Sequence, residues 1–431
     1  MDRTLATELS SRIGDRVRMA GWVHHQRHLS HVAFLLLRDR SGIAQVVLEE
    51  EDERATASGL APESVVELEG TVVQSAQAPA GVEVVDPRVV VISQPESTPP
   101  FELRRAQLNA QLPTLLDHAA VSLRHPARRA IASIAAASAH GFRSTLDDMD
   151  FTEVFTPKVV ASATESGANV FPIDWFGRTA YLAQSPQFYK QTMVGVFERV
   201  YEIGPVFRAE PHDTVRHLAE YLSLDAEMGF ITDHRDVMGL LRGVLAGMLA
   251  AIRARAGAAV ELLALDLPDV PTEIPTVRFS DAQEMIERAT GRATVGEPDL
   301  APADERWLGE WAAREHGSDF LFVTGYPMVK RPFYTHPDPA DGSSSNSFDL
   351  LFRGLELVTG GQRLHRYDDY LRALGGNDLA PYAGYLEAFR HGMPQHGGFA
   401  IGLERWVARL TGASNIREVT LFPRDLNRLT P

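Results

Sequence analysis

The chain contains no cysteine among its 431 residues, so disulfides, thiolate metal centres and cysteine nucleophiles are excluded. It also has neither a GxxxxGK loop nor a GxGxxG fingerprint, and a nucleotide, if bound, must sit on some other scaffold. The opening MDRTLATELSSRIGDRVRMAG has no apolar core between a basic head and a cleavage site, which is unlike a secretory leader. The most apolar helical region, Val237 to Leu267, is interrupted by Arg242, Arg253, Arg255 and Glu261. It is expected to be a core-packing helix in a cytoplasmic protein with no membrane association. Positive charge is scarce: 42 Lys and Arg stand against 57 Asp and Glu, a net charge of −15. Taken alone, that balance argues against nucleic acid, whose phosphates need cations.

The distribution of charge changes this picture. Residues 1–48 hold seven arginines against four acids, with His24, His25, His28 and His31 among them, so a local basic face is available on an acidic protein. Hydrophobic residues make up 44% and charged residues 23%, the composition of an ordinary globular chain, and the length suggests two or three domains.

The first 95 residues are rich in β-formers. The runs RVRMAGWVHHQ, HVAFLLLRDRSGIAQVVLEE, SVVELEGTVVQ and VEVVDPRVVVIS are separated by turn signals at Asp39–Gly42 and Ala78–Gly81. Five short strands in this length suit a small closed barrel; composition leaves the OB-fold and other small barrels both open. Phe34 and Gln45 fall on neighbouring strands, and Arg27 precedes them. The three form either a platform that stacks and reads a base, or a core phenylalanine beside surface polar groups.

Residues 96–125 carry Pro99, Pro100 and Pro113 and are expected to be a hinge. From Pro126 the apolar spacing of Ile131, Ile134, Ala135, Phe142 and Leu146 turns helical and opens a second domain, 126–431. Phe151 to Val160 is strand-like but broken by Pro157, which confines it to a sheet edge where another subunit can pair. Ala163 to Asn169 is a short polar segment suited to a lid, and Ser185 is placed to cap a helix beginning near Gln187.

Chemistry concentrates in three later stretches. In VYEIGPVFRAEPHDTVRHLAEYLSLDAEMGF two strands flank a polar loop with Arg208, Glu210, Arg216 and His217, charges too costly to bury without polar partners. SFDLLFRGLELV is expected to be a tight hairpin turning at Arg353 and Gly354, with Leu351 opposite Glu356 and Asp349 opposite Val358. Asp349 and Glu356 then lie diagonally on one face, able to hold a hard cation or else isolated on the surface. The following GGQR favours a ligand, because Gly360 and Gly361 admit it closely and Arg363 offers a forked donor. Finally, HGGFAIGLERWVARL is a strand, then Gly402, then a helix with Arg405 on its first turn.

Together, FTEVFTPKVV, FRAE with RHLAE, and GLER resemble the three motifs of class II aminoacyl-tRNA synthetases. ATESGANVFP, LAQSPQFYKQ, SFDLLFRGLEL, TGGQRLHR and the closing LFPRDLNRLTP narrow the resemblance to the archaeal type of aspartyl-tRNA synthetase, over nearly the whole chain. The resemblance implies an α+β protein: an N-terminal OB-fold anticodon-binding barrel (1–95) and an antiparallel sheet flanked by helices in the catalytic domain. It implies ATP as substrate, Mg2+ as cofactor, L-aspartate and tRNA as partners, and a homodimer.

It also implies residue roles. Arg208 would bridge the α-phosphate and the amino-acid carboxylate, and Arg208, Glu356 and Arg405 would form the catalytic set. ATP would be held by Arg208, Ala209, Glu210, Arg216, His217, Leu218, Tyr221, Glu356, Gly402, Leu403, Glu404 and Arg405, with Tyr221 and Arg405 sandwiching adenine. Asp349, Glu356 and Thr359 would hold the metal. Aspartate would be held by Glu165, Gln187, Lys190, Arg208, Thr359 and Arg363, with Lys190 and Arg363 on its side-chain carboxylate. An asparaginyl enzyme handles a neutral amide and typically lacks that lysine, so aspartate is favoured.

In the barrel, Arg27, Phe34 and Gln45 match positions that read the anticodon. His24 and Pro79 stand where discriminating relatives tend to have tryptophan and lysine. Both tRNA(Asp) and tRNA(Asn) are therefore expected substrates, with an amidotransferase downstream; a discriminating enzyme for tRNA(Asp) is the alternative. Two departures stand out: Asp150 replaces the usual glycine of the first motif, and Thr359 replaces a serine. A tRNA-independent asparagine synthetase is disfavoured by the intact barrel, and a non-catalytic RNA-binding paralogue by Arg208, Glu356, Arg363 and Arg405.

Overall fold

The computed structural model describes residues 1–161, 169–211, 213–376 and 378–430. The chain forms two compact units, residues 1–125 and 126–431.

In the first unit, strands β1 (Arg16–His28), β2 (Ala33–Arg38), β3 (Ile43–Leu48), β4 (Val65–Gln74) and β5 (Val82–Ser93) close a barrel in the order β1-β2-β3-β5-β4. Alternation builds it: Val17, Met19 and Val23 of β1, Leu35 and Leu37 of β2 and Val46 of β3 fill the interior, while their neighbours face outward. The Asp39–Gly42 turn is held by the Asp39 carboxylate, which accepts from the Ser41 and Gly42 amides. A helix, α1 (Glu51–Ser58), links β3 to β4; acidic and largely exposed, it has little periodic signal in the sequence. Residues 96–125 belong to this unit and contain two short helices, α2 (Leu112–Asp117) and α3 (Ala119–Ser122).

The second unit opens with α4 (Pro126–Asp147), then β6 (Thr152–Glu153) and β7 (Val159–Val160). The expected proline-broken strand is thus two short strands in different sheets, and β6 lies at the edge of the main one. Asp150 takes φ +62°, the left-handed conformation for which glycine is the usual residue, so the helix stop survives the substitution. β8 (Pro172–Trp175) and β9 (Arg178–Leu182) join β7 in a small sheet. Helix α5 runs Gln187–Phe197; Pro186 occupies the cap position, while Ser185 Oγ accepts from the Gln187 amide.

β10 (Arg199–Phe207) and β11 (Glu220–Gly229) then pair antiparallel, followed by α6 (His234–Arg255) and α7 (Gly257–Leu262). After β12 (Thr276–Arg278), α8 (Phe279–Thr290), α9 (Pro302–His316) and β13 (Phe320–Thr324) come β14 (Ser347–Phe352) and β15 (Leu355–Gln362). Helices α10 (Tyr367–Leu374) and α11 (Ala383–Arg390), strand β16 (His396–Gly402) and helix α12 (Leu403–Thr411) complete the unit.

The eight-stranded sheet runs β12-β13-β14-β15-β16-β11-β10-β6, antiparallel except at its two outermost pairs. Helix α6 is long and apolar enough to cross a membrane by length and composition. Its stripe Val237, Leu240, Leu241, Val244, Leu245, Met248, Leu249 and Ile252 is nevertheless buried in the main core. A Cβ at Gly247 would lie 1.8 Å from Thr145 Oγ1, so the glycine sets how closely α6 and α4 approach.

Candidate active site

β11 has the simplest pattern in the molecule. Leu224 and Ala226 point into the core, while Ser223, Asp225 and Glu227 point to the opposite face. That face is the floor of a cleft of about 390 Å³. Lys190 reaches it from α5 and Arg363 from the end of β15, and both are almost fully buried. Lys190 Nζ lies 2.9 Å from Asp225 Oδ1 and 3.3 Å from Glu227 Oε2, and Arg363 Nε lies 3.0 Å from Glu227 Oε1. The two expected carboxylate-binding cations are therefore brought together, each held by an acid that the sequence reading did not single out. The signal was the alternation S-L-D-A-E, which puts both acids on one face of a strand. Gln187 borders the same cleft and donates to Gln191, which meets Tyr385, Tyr370 and His396 in a buried hydrogen-bonded cluster.

Toward the cleft mouth, Gly402 lies between Tyr221 and Arg405: a Cβ there would be 3.8 Å from the Tyr221 ring and 3.7 Å from Arg405 Cβ. A small floor between an aromatic face and a guanidinium makes a slot for a planar ring. Arg208 stands over the Tyr221 ring, 5.9 Å from its centroid, and Glu210, Arg216 and His217 border the cleft from the loop between β10 and β11. Leu403 is turned into the core, so its side chain contributes packing, and Leu218 packs against the same core while bordering the cleft. Ala209 donates its amide to Asn169 O. Glu404 accepts from the Leu222 amide through both oxygens, and burial pushes its carboxyl up to about 7.

The β14–β15 hairpin turns at Arg353 and Gly354 as expected, both with positive φ, the geometry of a type I′ turn. Its register needs correction. Leu351 faces Glu356, but Asp349 faces Thr359, not Val358, because a bulge at Leu357 adds a residue to β15. The Thr359 hydroxyl donates to Glu356 at 3.4 Å, while Asp349 is paired with Arg331 at 3.0 Å. Glu356 is pushed up to about 7, by removal from water first and by the charge of Asp349 second. Two acids and a hydroxyl, where Arg405 at 3.7 Å from Glu356 and Arg331 on Asp349 only partly offset burial and mutual repulsion, fit a hard divalent cation that takes its remaining ligands from phosphate. Among the described residues no cluster of three or more His, Asp or Glu side chains forms a complete cage.

In the barrel, Arg27 faces Phe34 across β1 and β2, and Gln45 lies diagonally from Phe34 on β3. All three are on the outer face; Phe34 is half-buried there and Gln45 donates to Glu83. His24 sits differently. It occupies a bulge in β1, is 9% exposed, and contacts Arg38, which is itself locked to Glu63. Burial and the Arg38 charge push its imidazole down to about 4, so it is neutral. Glu165 and the side chain of Pro79 lie outside the described residues, as does the Ala163–Ala168 part of the expected lid.

An antiparallel sheet carrying a ring slot, forked cations and paired acids, preceded by a five-stranded barrel, defines a class II synthetase. The model of the tRNA synthetases class II (D, K and N) matches residues 111–426, and that of the OB-fold nucleic acid binding domain matches 17–92. The chain belongs to the class II synthetase family. It is 47% identical to the aspartate--tRNA(Asp/Asn) ligase of Thermus thermophilus over 100% of both chains, and 46% identical to that of Deinococcus radiodurans over 100% of this chain and 99% of the relative. In structure it matches the asparaginyl-tRNA synthetase of Pyrococcus horikoshii complexed with asparaginyl-adenylate, at TM-score 0.92 and 31% identity over 100% of both chains. One fold serves both amino acids, so side chains must separate them.

Proposed function

We propose that the chain is an aspartate--tRNA ligase of the archaeal type that charges both tRNA(Asp) and tRNA(Asn). The observation carrying the choice of amino acid is the buried pair Lys190 and Arg363 on the cleft floor. Arg363 directs donors to Glu227 and to Gly398 O, and a guanidinium has five; a side-chain carboxylate can accept those left over, whereas an amide would set its own NH2 donor against them. The dual tRNA specificity is supported by the named activity of the relatives at 47% and 46% identity.

In the first step the aspartate α-carboxylate attacks the α-phosphorus of ATP and pyrophosphate leaves. The carboxylate is already ionised at neutral pH, so no side chain need remove a proton. Arg208 would bind the α-phosphate and the attacking carboxylate, neutralising charge as it builds. Tyr221 and Arg405 would clasp adenine over Gly402, and Arg216 and His217 would meet the outer phosphates. Asp349, Glu356 and Thr359 would hold Mg2+, which polarises the phosphates when bound. The terminal adenosine of tRNA then takes the aspartyl group and AMP departs.

Arg27, Phe34 and Gln45 would read the anticodon from the barrel's outer face. A homodimer through β6 is supported by that strand's place at the sheet edge and by Phe155 just after it, 81% accessible. The enzyme would work in the cytoplasm, where tRNA is used. Aspartyl-tRNA(Asn) would need an amidotransferase to consume it.

Aspartate-dependent ATP–pyrophosphate exchange, followed by charging of purified tRNA(Asp) and tRNA(Asn), tests the reading. Exchange stimulated more by asparagine than by aspartate rejects the amino-acid assignment. Charging of tRNA(Asn) roughly a thousandfold or more below tRNA(Asp) rejects dual specificity.

A further inference from the structure

The loop from Arg208 to Ala219 poses a mechanical problem. It brings Arg216 and His217 to the cleft, yet its described residues form no helix or strand, and Asp213, Thr214 and Val215 are exposed. Such a loop has little buried surface of its own to hold these two side chains in place.

The chain's last residues supply what is missing. Arg417, on a single helical turn after α12, is 8% exposed and donates to Asp213 Oδ1 at 3.1 Å, to Thr214 O at 3.0 Å and to the Asp425 carboxylate. Asn427 Nδ2 donates to the other Asp213 oxygen at 2.8 Å. The Ile416 amide donates to Val215 O, and the Ala219 amide to Arg424 O. The loop is thus gripped at its tip and at its return to β11, by residues about two hundred positions later. Arg216 and His217 lie between the two grips, and the Thr214 hydroxyl, next to the tip, is 2.6 Å from His217 Nδ1.

We infer that Arg417, Asp213, Asp425 and Asn427 form a clasp by which the C-terminal segment positions Arg216 and His217 for the phosphates of ATP. The four are positioning residues; none borders the cleft. This assignment rests on the activity proposed above. A forked guanidinium suits the task, because one side chain joins the loop tip, a loop carbonyl and the C-terminal segment with fixed geometry.

Asp213→Ala and Asn427→Ala cut the clasp at exposed groups and leave the core intact, whereas Arg417→Lys keeps the charge and loses the fork. Steady-state pyrophosphate exchange, titrated separately in ATP and aspartate, and a thermal melt are measured for each. The expected result is a KM for ATP about tenfold higher in Asp213→Ala and Arg417→Lys, with KM for aspartate within about twofold and an unchanged melting temperature for Asp213→Ala. Asp213→Asn, which keeps an acceptor for Arg417, restores most of the ATP affinity. An unchanged KM for ATP in Asp213→Ala overturns the inference. So does a parallel rise in both KM values with a lowered melting temperature, the mark of general destabilisation. No exchange by the unaltered chain would instead reject the activity itself, which separates the two failures.

Discussion

Arg363 Nε donates to Glu227 Oε1 at 3.0 Å, and Glu227 has no accessible surface at all. The same carboxylate reaches Lys190 through its other oxygen, so one acid orients both cations on the cleft floor. The Arg363 charge is the largest influence holding the Glu227 carboxyl below its ordinary value against burial, with Lys190 next.

Glu227→Gln should be costly. Removing one partner of a buried ion pair leaves charge uncompensated, and a loss of about 3 kcal/mol in unfolding free energy is expected from urea denaturation. A loss under about 1 kcal/mol would mean that Asp225 alone suffices to hold the two cations.

Lys190→Met should strike aspartate more than ATP. Truncating one partner of a buried charged contact costs roughly 2–5 kcal/mol, so kcat/KM for aspartate in pyrophosphate exchange should fall about a hundredfold or more. The KM for ATP should stay within about threefold, since Lys190 lies on the cleft floor away from the Tyr221–Arg405 slot. Equal damage to both substrates would argue against a role in recognising the amino acid.

Stability should depend on His396. This fully buried imidazole receives a hydrogen bond from Gln191 and donates one to Pro394 O, and burial lowers its pKa to about 4 from an ordinary 6.5. The unfolded chain therefore binds the proton more readily than the folded one. The stabilisation is full above the unfolded value and is lost as pH falls toward the folded value, about 2 kcal/mol of it by pH of about 5. Glu356 and Glu404, both raised to about 7, act in the opposite direction as pH rises, so the effect is read as a difference between the unaltered chain and His396→Gln. NMR titration showing His396 charged near pH 6 would contradict it.

Asp150 should tolerate glycine and reject a β-branched residue. Its φ of +62° is one that aspartate accepts far better than valine does. Asp150→Gly should shift unfolding free energy by less than about 1 kcal/mol, and Asp150→Val should lower it by more than about 1 kcal/mol.

Local patterns were legible without coordinates wherever short-range chemistry decides. Alternating apolar residues specify the barrel strands, the Arg353–Gly354 pair specifies a tight hairpin, and the stripe from Val237 to Ile252 specifies a buried helix. The strings FRAE, TGGQR and GLER pointed to the family and contain several residues that border the cleft. Tertiary structure decided what depends on partners distant in the chain. The bulge at Leu357 turns Asp349 toward Thr359, and no local pattern announces it, because a bulge depends on how two strands share hydrogen bonds. Asp225 and Glu227 looked like ordinary strand residues until Lys190 and Arg363 arrived beside them from other elements. His24 is a surface residue by pattern and a buried neutral one in fact, because Arg38 and Glu63 close around it. Sequence periodicity encodes which face of an element is apolar; which charges meet across that face is a property of the assembled sheet.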